Sequence, residues 1–188
     1  RQALEDREGL QRTYFLALKL LVGTAIPLAI LSTFLATPMI SLLGGREFLP
    51  DGARALQLMV WSIPFGWINS VTNYVLISVN QQRALTRAFM IGLIFNIVVN
   101  AIFIPRYGFA AAAVSTILSE IVEGIAFQVY IYRYVGRVPW FRLFWRLVLG
   151  GAAMTALIWF GAQVHVLLGL LLGGLLYLVI MVRGNVFD

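Results

Sequence analysis

Long uncharged stretches alternate with short polar clusters along this chain. No Asp, Glu, Lys or Arg occurs between Lys19 and Arg46, between Arg54 and Arg83, or between Arg146 and Arg183. An apolar run of roughly 18 residues or more is long enough to cross a hydrocarbon core of ~30 Å as a helix. The pattern predicts six such helices, over about 14–43, 53–79, 86–104, 109–132, 141–162 and 166–182. The last two share one uncharged run, which as a single helix would extend ~54 Å. The chain is therefore expected to turn at Gly161-Ala162-Gln163-Val164-His165, where the only strongly polar side chains of that run lie.

Composition sharpens this picture. Hydrophobic residues make up 61% of the sequence and charged residues 12%, against about a quarter charged in a soluble domain. The mean hydropathy is +0.88. These values argue against a soluble enzyme or a disordered regulator. They point to an all-α, polytopic membrane bundle of six transmembrane helices, with membrane lipids as its solvent.

The net charge of +6 does not indicate nucleic acid, because the basic residues are scattered over short loops. In a membrane protein such an excess reports topology. All basic residues except Arg46, Arg54 and Arg106 fall on one side of the six-helix scheme, which places both termini in the cytoplasm. Trp140, Phe141, Phe144 and Trp145 fit an aromatic belt at that interface, with Arg142 and Arg146 beside the headgroups. There are no cysteines and one histidine, His165, so no metal site and no cofactor is expected. The loops GREFLPDG, NQQRAL, PRYG and YVGRVP are too short for a catalytic domain, and no catalytic residue is assigned. The sequence opens at Arg1 in a polar stretch without a methionine, and reads as a piece of a larger transporter.

The informative residues are the polar ones inside apolar runs. Glu120 and Glu123 fall near the middle of the fourth helix and share a face. An ionised acid at that depth costs ~2.5–3.5 kcal/mol or more. Two neighbouring carboxyls in a low dielectric favour keeping a proton on one of them, which suits a proton-linked switch; the alternative is a packing role. Asn69 and Asn73 on the second helix, and Asn96 and Asn100 on the third, each lie four apart on one face, and Gly92 extends the latter stripe. Their amides suit sugar hydroxyls and equally suit bonds between helices. Pro27 and Pro64 interrupt hydrophobic runs and are expected to kink their helices. Lys19 and Arg87 stand near the cytoplasmic ends, placed to reach lipid phosphates or an entering anionic headgroup. Gly169-x-x-x-Gly173 permits close helix packing, or a dimer face.

The run Asn96-Ile-Val-Val-Asn100-Ala-Ile-Phe-Ile-Pro105-Arg-Tyr-Gly108 continues into Phe109-Ala-Ala-Ala-Ala-Val-Ser-Thr116-Ile-Leu-Ser119-Glu120. It resembles the C-terminal part of polysaccharide (O-antigen type) flippases, in the multidrug/oligosaccharidyl-lipid/polysaccharide exporter superfamily. Gly45-Arg-Glu-Phe48 and Leu76-Ile-Ser-Val-Asn-Gln-Gln-Arg83 match further upstream, so the resemblance covers roughly residues 10 to 135. It implies two six-helix lobes alternating between inward- and outward-open states in a bacterial-type cytoplasmic membrane. It also implies a lipid-linked oligosaccharide (undecaprenyl-pyrophosphate type) as cargo, carried from the inner to the outer leaflet, with a proton or sodium as coupling ion.

On that resemblance, 1–13 is a cytoplasmic segment and 14–135 a four-helix part of the C-terminal lobe. Residues 136–188 form two additional helices, and the missing N-terminal lobe is a partner. The candidate substrate or ion pathway comprises Glu120, Glu123, Asn69, Asn73, Asn96, Asn100, Lys19 and Arg87. Competing readings are a multidrug or lipid II exporter of the same superfamily, a subunit of a membrane glycan polymerase, and a non-transporting helical scaffold.

Overall fold

A computed structural model describes residues 2–163 and 165–183, with side chains from residue 7 onward. Val164, within the expected turn, Arg1 and residues 184–188 lie outside the described residues. The described residues form seven α-helices and no strand: α1 (Gln2–Leu43), α2 (Asp51–Met59), α3 (Ser62–Ser78), α4 (Gln82–Tyr107), α5 (Phe109–Tyr134), α6 (Trp140–Ala162) and α7 (Val166–Arg183), with a short 3-10 turn at Arg46–Phe48. The six hydrophobic runs are helical, the second with a break at Val60 and Trp61. Five of the helices are individually long and apolar enough to cross a membrane.

Three boundaries differ from the sequence reading. Segment 1–13 is not separate from the first helix, since α1 begins at Gln2. Its early side chains have work to do at the end of α5. Arg7 Nε donates to the Val135 carbonyl at 3.2 Å, and Gln11 Nε2 bonds the same oxygen. These groups satisfy an acceptor at a helix C-terminus, where a cation is also favoured by the helix dipole.

The second expected helix is two helices. Proline has no N–H, so Pro64 cannot bond the Val60 carbonyl. Ile63 N–H takes it instead at 3.1 Å, and Trp61 N–H bonds the Leu58 carbonyl at 3.3 Å. This tightened turn separates α2 from α3. The expected Pro105-Arg106-Tyr107-Gly108 loop is mostly helix, because α4 runs through Pro105 to Tyr107. Gly108 alone joins α4 to α5, at φ 57° and ψ −138°, a backbone conformation that suits glycine.

Pro27 lies within the continuous α1. Its missing N–H leaves the Gly23 carbonyl, four residues earlier, without a helical donor. Tyr177 of α7 fills that vacancy with a hydroxyl bond of 2.8 Å to the Gly23 carbonyl.

α1 is the hub, packing against α2, α3, α6 and α7, while α3 packs against α4 and α5. The α4–α5 and α6–α7 pairs are antiparallel hairpins on either side. One apolar cluster joins Tyr14 and Leu18 of α1, Leu76 of α3, Phe127 and Ile131 of α5 and Leu143 of α6. A second joins Val22 and Ile30 of α1, Leu147, Met154 and Ile158 of α6, and Tyr177 and Met181 of α7. Outward positions such as Ile97, Ile125, Trp159 and Leu171 are exposed and apolar, the inverse of a water-soluble surface and the expected finish for a surface facing lipid.

Candidate functional site

The polar residues of the bundle converge where α5 meets α3 and α4. Asn69, buried on α3, donates twice to Glu120: to the backbone carbonyl and to Oε2, each at 2.8 Å. Small residues make this approach feasible. A Cβ at Gly124 would stand 2.9 Å from Asn69 Oδ1, and one at Gly66 would stand 3.5 Å from the Glu120 carboxyl. Three residues along α5, Glu123 turns to α4 and sits against buried Gly92, where a Cβ would lie 3.1 Å from Glu123 Oε2. The two carboxyls therefore share the inner side of α5 but address different neighbours. Both are half-buried.

Asn73 lies one turn beyond Asn69. Its Oδ1 is buried and has no hydrogen-bond partner among the described residues. A buried acceptor left unpaired is costly, and such positions are where a protein receives a donor from elsewhere. Thr72 between them is committed to structure: its hydroxyl bonds the Ile68 carbonyl at 2.7 Å and lies 2.8 Å from the Tyr14 hydroxyl of α1.

Asn96 and Asn100 belong to a different seam. Asn100 Nδ2 donates to Asn96 Oδ1 at 2.9 Å, and Asn96 Nδ2 donates to Ser119 Oγ at 3.0 Å. Ser119 Oγ donates to the Ser115 carbonyl at 2.7 Å, and the Ser115 hydroxyl returns to Asn100 Oδ1. This ring of bonds ties α4 to α5. Ser115 and Ser119 were not among the sequence candidates, although their spacing of four mirrors that of the asparagines.

The two cations stand apart from the acids. Lys19 is half-buried on α1 and Arg87 is exposed on α4. The one ion pair among the described residues is Asp51–Arg54 at 3.8 Å, so neither Lys19 nor Arg87 pairs with Glu120 or Glu123. Pro64 is buried in the first turn of α3, two residues before Gly66. No group of three or more metal-ligating side chains occurs among the described residues. The chemistry available at the site is proton exchange at two carboxyls and hydrogen bonding by amides.

Residues 4–102, more than half of the chain, match the MatE family model. An uncharacterized membrane protein of Methanocaldococcus jannaschii is 30% identical over 104 residues, covering 55% of this chain and 20% of that protein. A probable lipid II flippase MurJ of Vibrio cholerae is 28% identical over 164 residues, covering 81% of this chain and 31% of that one. The chain thus spans less than a third of either curated relative. Among solved structures, lipid II flippase MurJ in an inward closed conformation superposes with a TM-score of 0.81 at 21% identity, covering 94% of this chain and 39% of that chain. The all-helical membrane fold is shared across that comparison.

Proposed function

Because this chain belongs to the MatE family, we propose that it forms part of the C-terminal lobe of a flippase that moves a lipid-linked oligosaccharide from the inner to the outer leaflet. The observation that carries this reading is the polar seam of Asn69, Glu120, Glu123 and Asn73 inside a largely apolar bundle. A polar headgroup crosses ~30 Å of hydrocarbon only if protein replaces its water. The prenyl tail stays in lipid throughout. Alternating access then requires two packings of similar energy, biased by a cargo or ion that binds them differently.

Glu120 and Glu123 are the proposed bias. Gain or loss of a proton changes how strongly the Glu120 carboxyl accepts from Asn69, while the bond to the Glu120 backbone carbonyl persists, and so biases how α3 sits against α5. A proton is the simplest coupling ion for such a pair, with sodium as the alternative. Asn73 Oδ1 is the proposed contact for a cargo hydroxyl. Lys19 and Arg87 are proposed to meet the anionic headgroup on entry, and Asn96 and Asn100 to hold the α4–α5 wall of the pathway. The proposed setting is a bacterial-type cytoplasmic membrane, with both ends of the segment on the cytoplasmic side and a partner lobe completing the cavity.

A second reading, lipid II as cargo, is supported by the names of two similar proteins, a probable lipid II flippase and a lipid II flippase of known structure. Reconstitution of the complete transporter into vesicles, with fluorescent lipid II and a fluorescent lipid-linked oligosaccharide offered separately, distinguishes the two cargoes. In the same assay Glu120→Gln and Glu123→Gln should slow flipping and flatten its dependence on pH. Wild-type rates with unchanged pH dependence in both variants would remove the coupling role.

A further inference from the structure

The outer side of α6 carries a groove of about 640 Å³ lined by Trp140, Phe141, Phe144, Trp145, Val148 and Leu149. Its floor is fixed, because Trp140 and Phe144 pack against the first apolar cluster with their rings 5.5 Å apart. Phe141 and Trp145 form exposed walls. The lining residues follow i, i+1, i+4, i+5, i+8 and i+9, which keeps them on one face of the helix. They extend along ~15 Å of helix axis. That is half of a ~30 Å hydrocarbon core, the depth of a single leaflet. A groove of this length and almost entirely apolar lining matches an acyl chain.

The charge at the N-terminal end of α6 selects the headgroup. Arg142 follows Phe141 directly, is exposed, and makes no ion pair among the described residues. Helical side chains tilt toward the helix N-terminus, so Arg142 leans out of the hydrocarbon toward the membrane surface. Arg137, in the preceding loop, lies over the Tyr132 ring at 5.4 Å and donates to its hydroxyl at 3.3 Å. This keeps a second cation at the same end. No carboxylate occurs in the sequence between Glu123 and Asp188. Glu8, the described acid at the neighbouring start of α1, is exposed and pairs with none of these arginines.

We infer that this groove is a binding site for an anionic glycerophospholipid of the surrounding bilayer, its acyl chain along Phe141, Trp145, Val148 and Leu149 and its phosphate at Arg142. The site is separate from the polar seam of α3 and α5, and its test does not depend on transport. The detergent-solubilised complete protein is titrated with phosphatidylglycerol or with phosphatidylcholine of the same acyl chains, and bound lipid is counted by native mass spectrometry.

Phosphatidylglycerol should bind in preference, and Arg142→Gln should weaken it about fivefold, the effect of one basic residue at a lipid surface. Phosphatidylcholine, whose phosphate is offset by its own choline cation, should weaken less in that variant, so the preference between the two lipids narrows. Arg106→Gln, altering an exposed cation at the opposite end of α4, should leave both lipids unchanged and controls for general charge loss. Phosphatidylglycerol with very short acyl chains should bind less than the long-chain form, because the groove contributes. Equal binding of the two lipids, an unaltered preference in Arg142→Gln, or equal binding of short- and long-chain forms would each overturn the assignment.

Discussion

The α4–α5 and α6–α7 hairpins solve the same problem by opposite means. Helices in lipid gain little from apolar burial against each other, because the surrounding acyl chains are equally apolar. The α4–α5 pair is held by a ring of hydrogen bonds through Asn96, Asn100, Ser115 and Ser119. The α6–α7 pair is held by close approach. A Cβ at Gly161 would stand 2.6 Å from the Gly169 Cα, and one at Gly169 would meet the backbone of Ala162 and Ile158 at 3.0 Å. Gly173 makes room for the Ile158 side chain, whose Cγ1 an added Cβ would approach to 2.6 Å, and lies near the Met154 carbonyl, 3.2 Å from that Cβ position. Backbone contact tolerates almost no displacement, whereas side-chain amides can exchange one partner for another. The glycine hairpin is therefore built as a fixed strut. The amide hairpin adjoins the acids of α5 and is the part suited to rearrangement.

This contrast breaks most severely at Gly161. Replacement by Val drives a branched side chain into the α7 backbone, which no rotamer relieves. The expected loss is about 3 kcal/mol or more, measured as a large fall in thermal unfolding temperature of the solubilised protein. A stable Gly161→Val protein would show that the hairpin is not packed backbone to backbone. Asn96→Val tests the other pair more gently. It removes the bond to Ser119 and leaves the Asn100 amide without its acceptor. The expected cost is about 1 kcal/mol, within the 0.6–2 kcal/mol range for such bonds in lipid. A loss as large as that of the glycine variant would erase the distinction between the hairpins. The smallest effect is expected at Gly174, where an added Cβ meets nothing within 4 Å. Gly174→Ala should change stability by no more than about 0.5 kcal/mol, separating the glycines that pack from the one that does not.

The sequence made the helices legible because lipid imposes a blunt constraint: a spanning segment must be long, apolar and helical. Length demanded a turn between α6 and α7, and the polar Gln163 and His165 placed it, with α6 ending at Ala162 and α7 starting at Val166. The break before α3 was harder to place. Pro64 marks its cause, but the lost bond belongs to Val60, so the helix ends upstream of the residue that ends it. Pro105 carries the same composition signal without the same outcome, since α4 continues to Tyr107.

At the candidate site, residue spacing showed which side chains share a helix face and could go no further. That Asn69 reaches Glu120 while Asn96 reaches Ser119 depends on which helices become neighbours and at what height. Those are properties of the assembled bundle. Tyr177 was invisible for the same reason: only docking of α7 against α1 reveals that its hydroxyl replaces the donor removed by Pro27.

The one-residue link at Gly108 constrains how the protein enters the bilayer. A single residue cannot wait as a tether in water while one helix inserts and the other follows later. α4 and α5 must go in together as a preformed hairpin, so the insertion machinery has to accommodate both greasy segments at once. Any extension of that corner would uncouple their delivery.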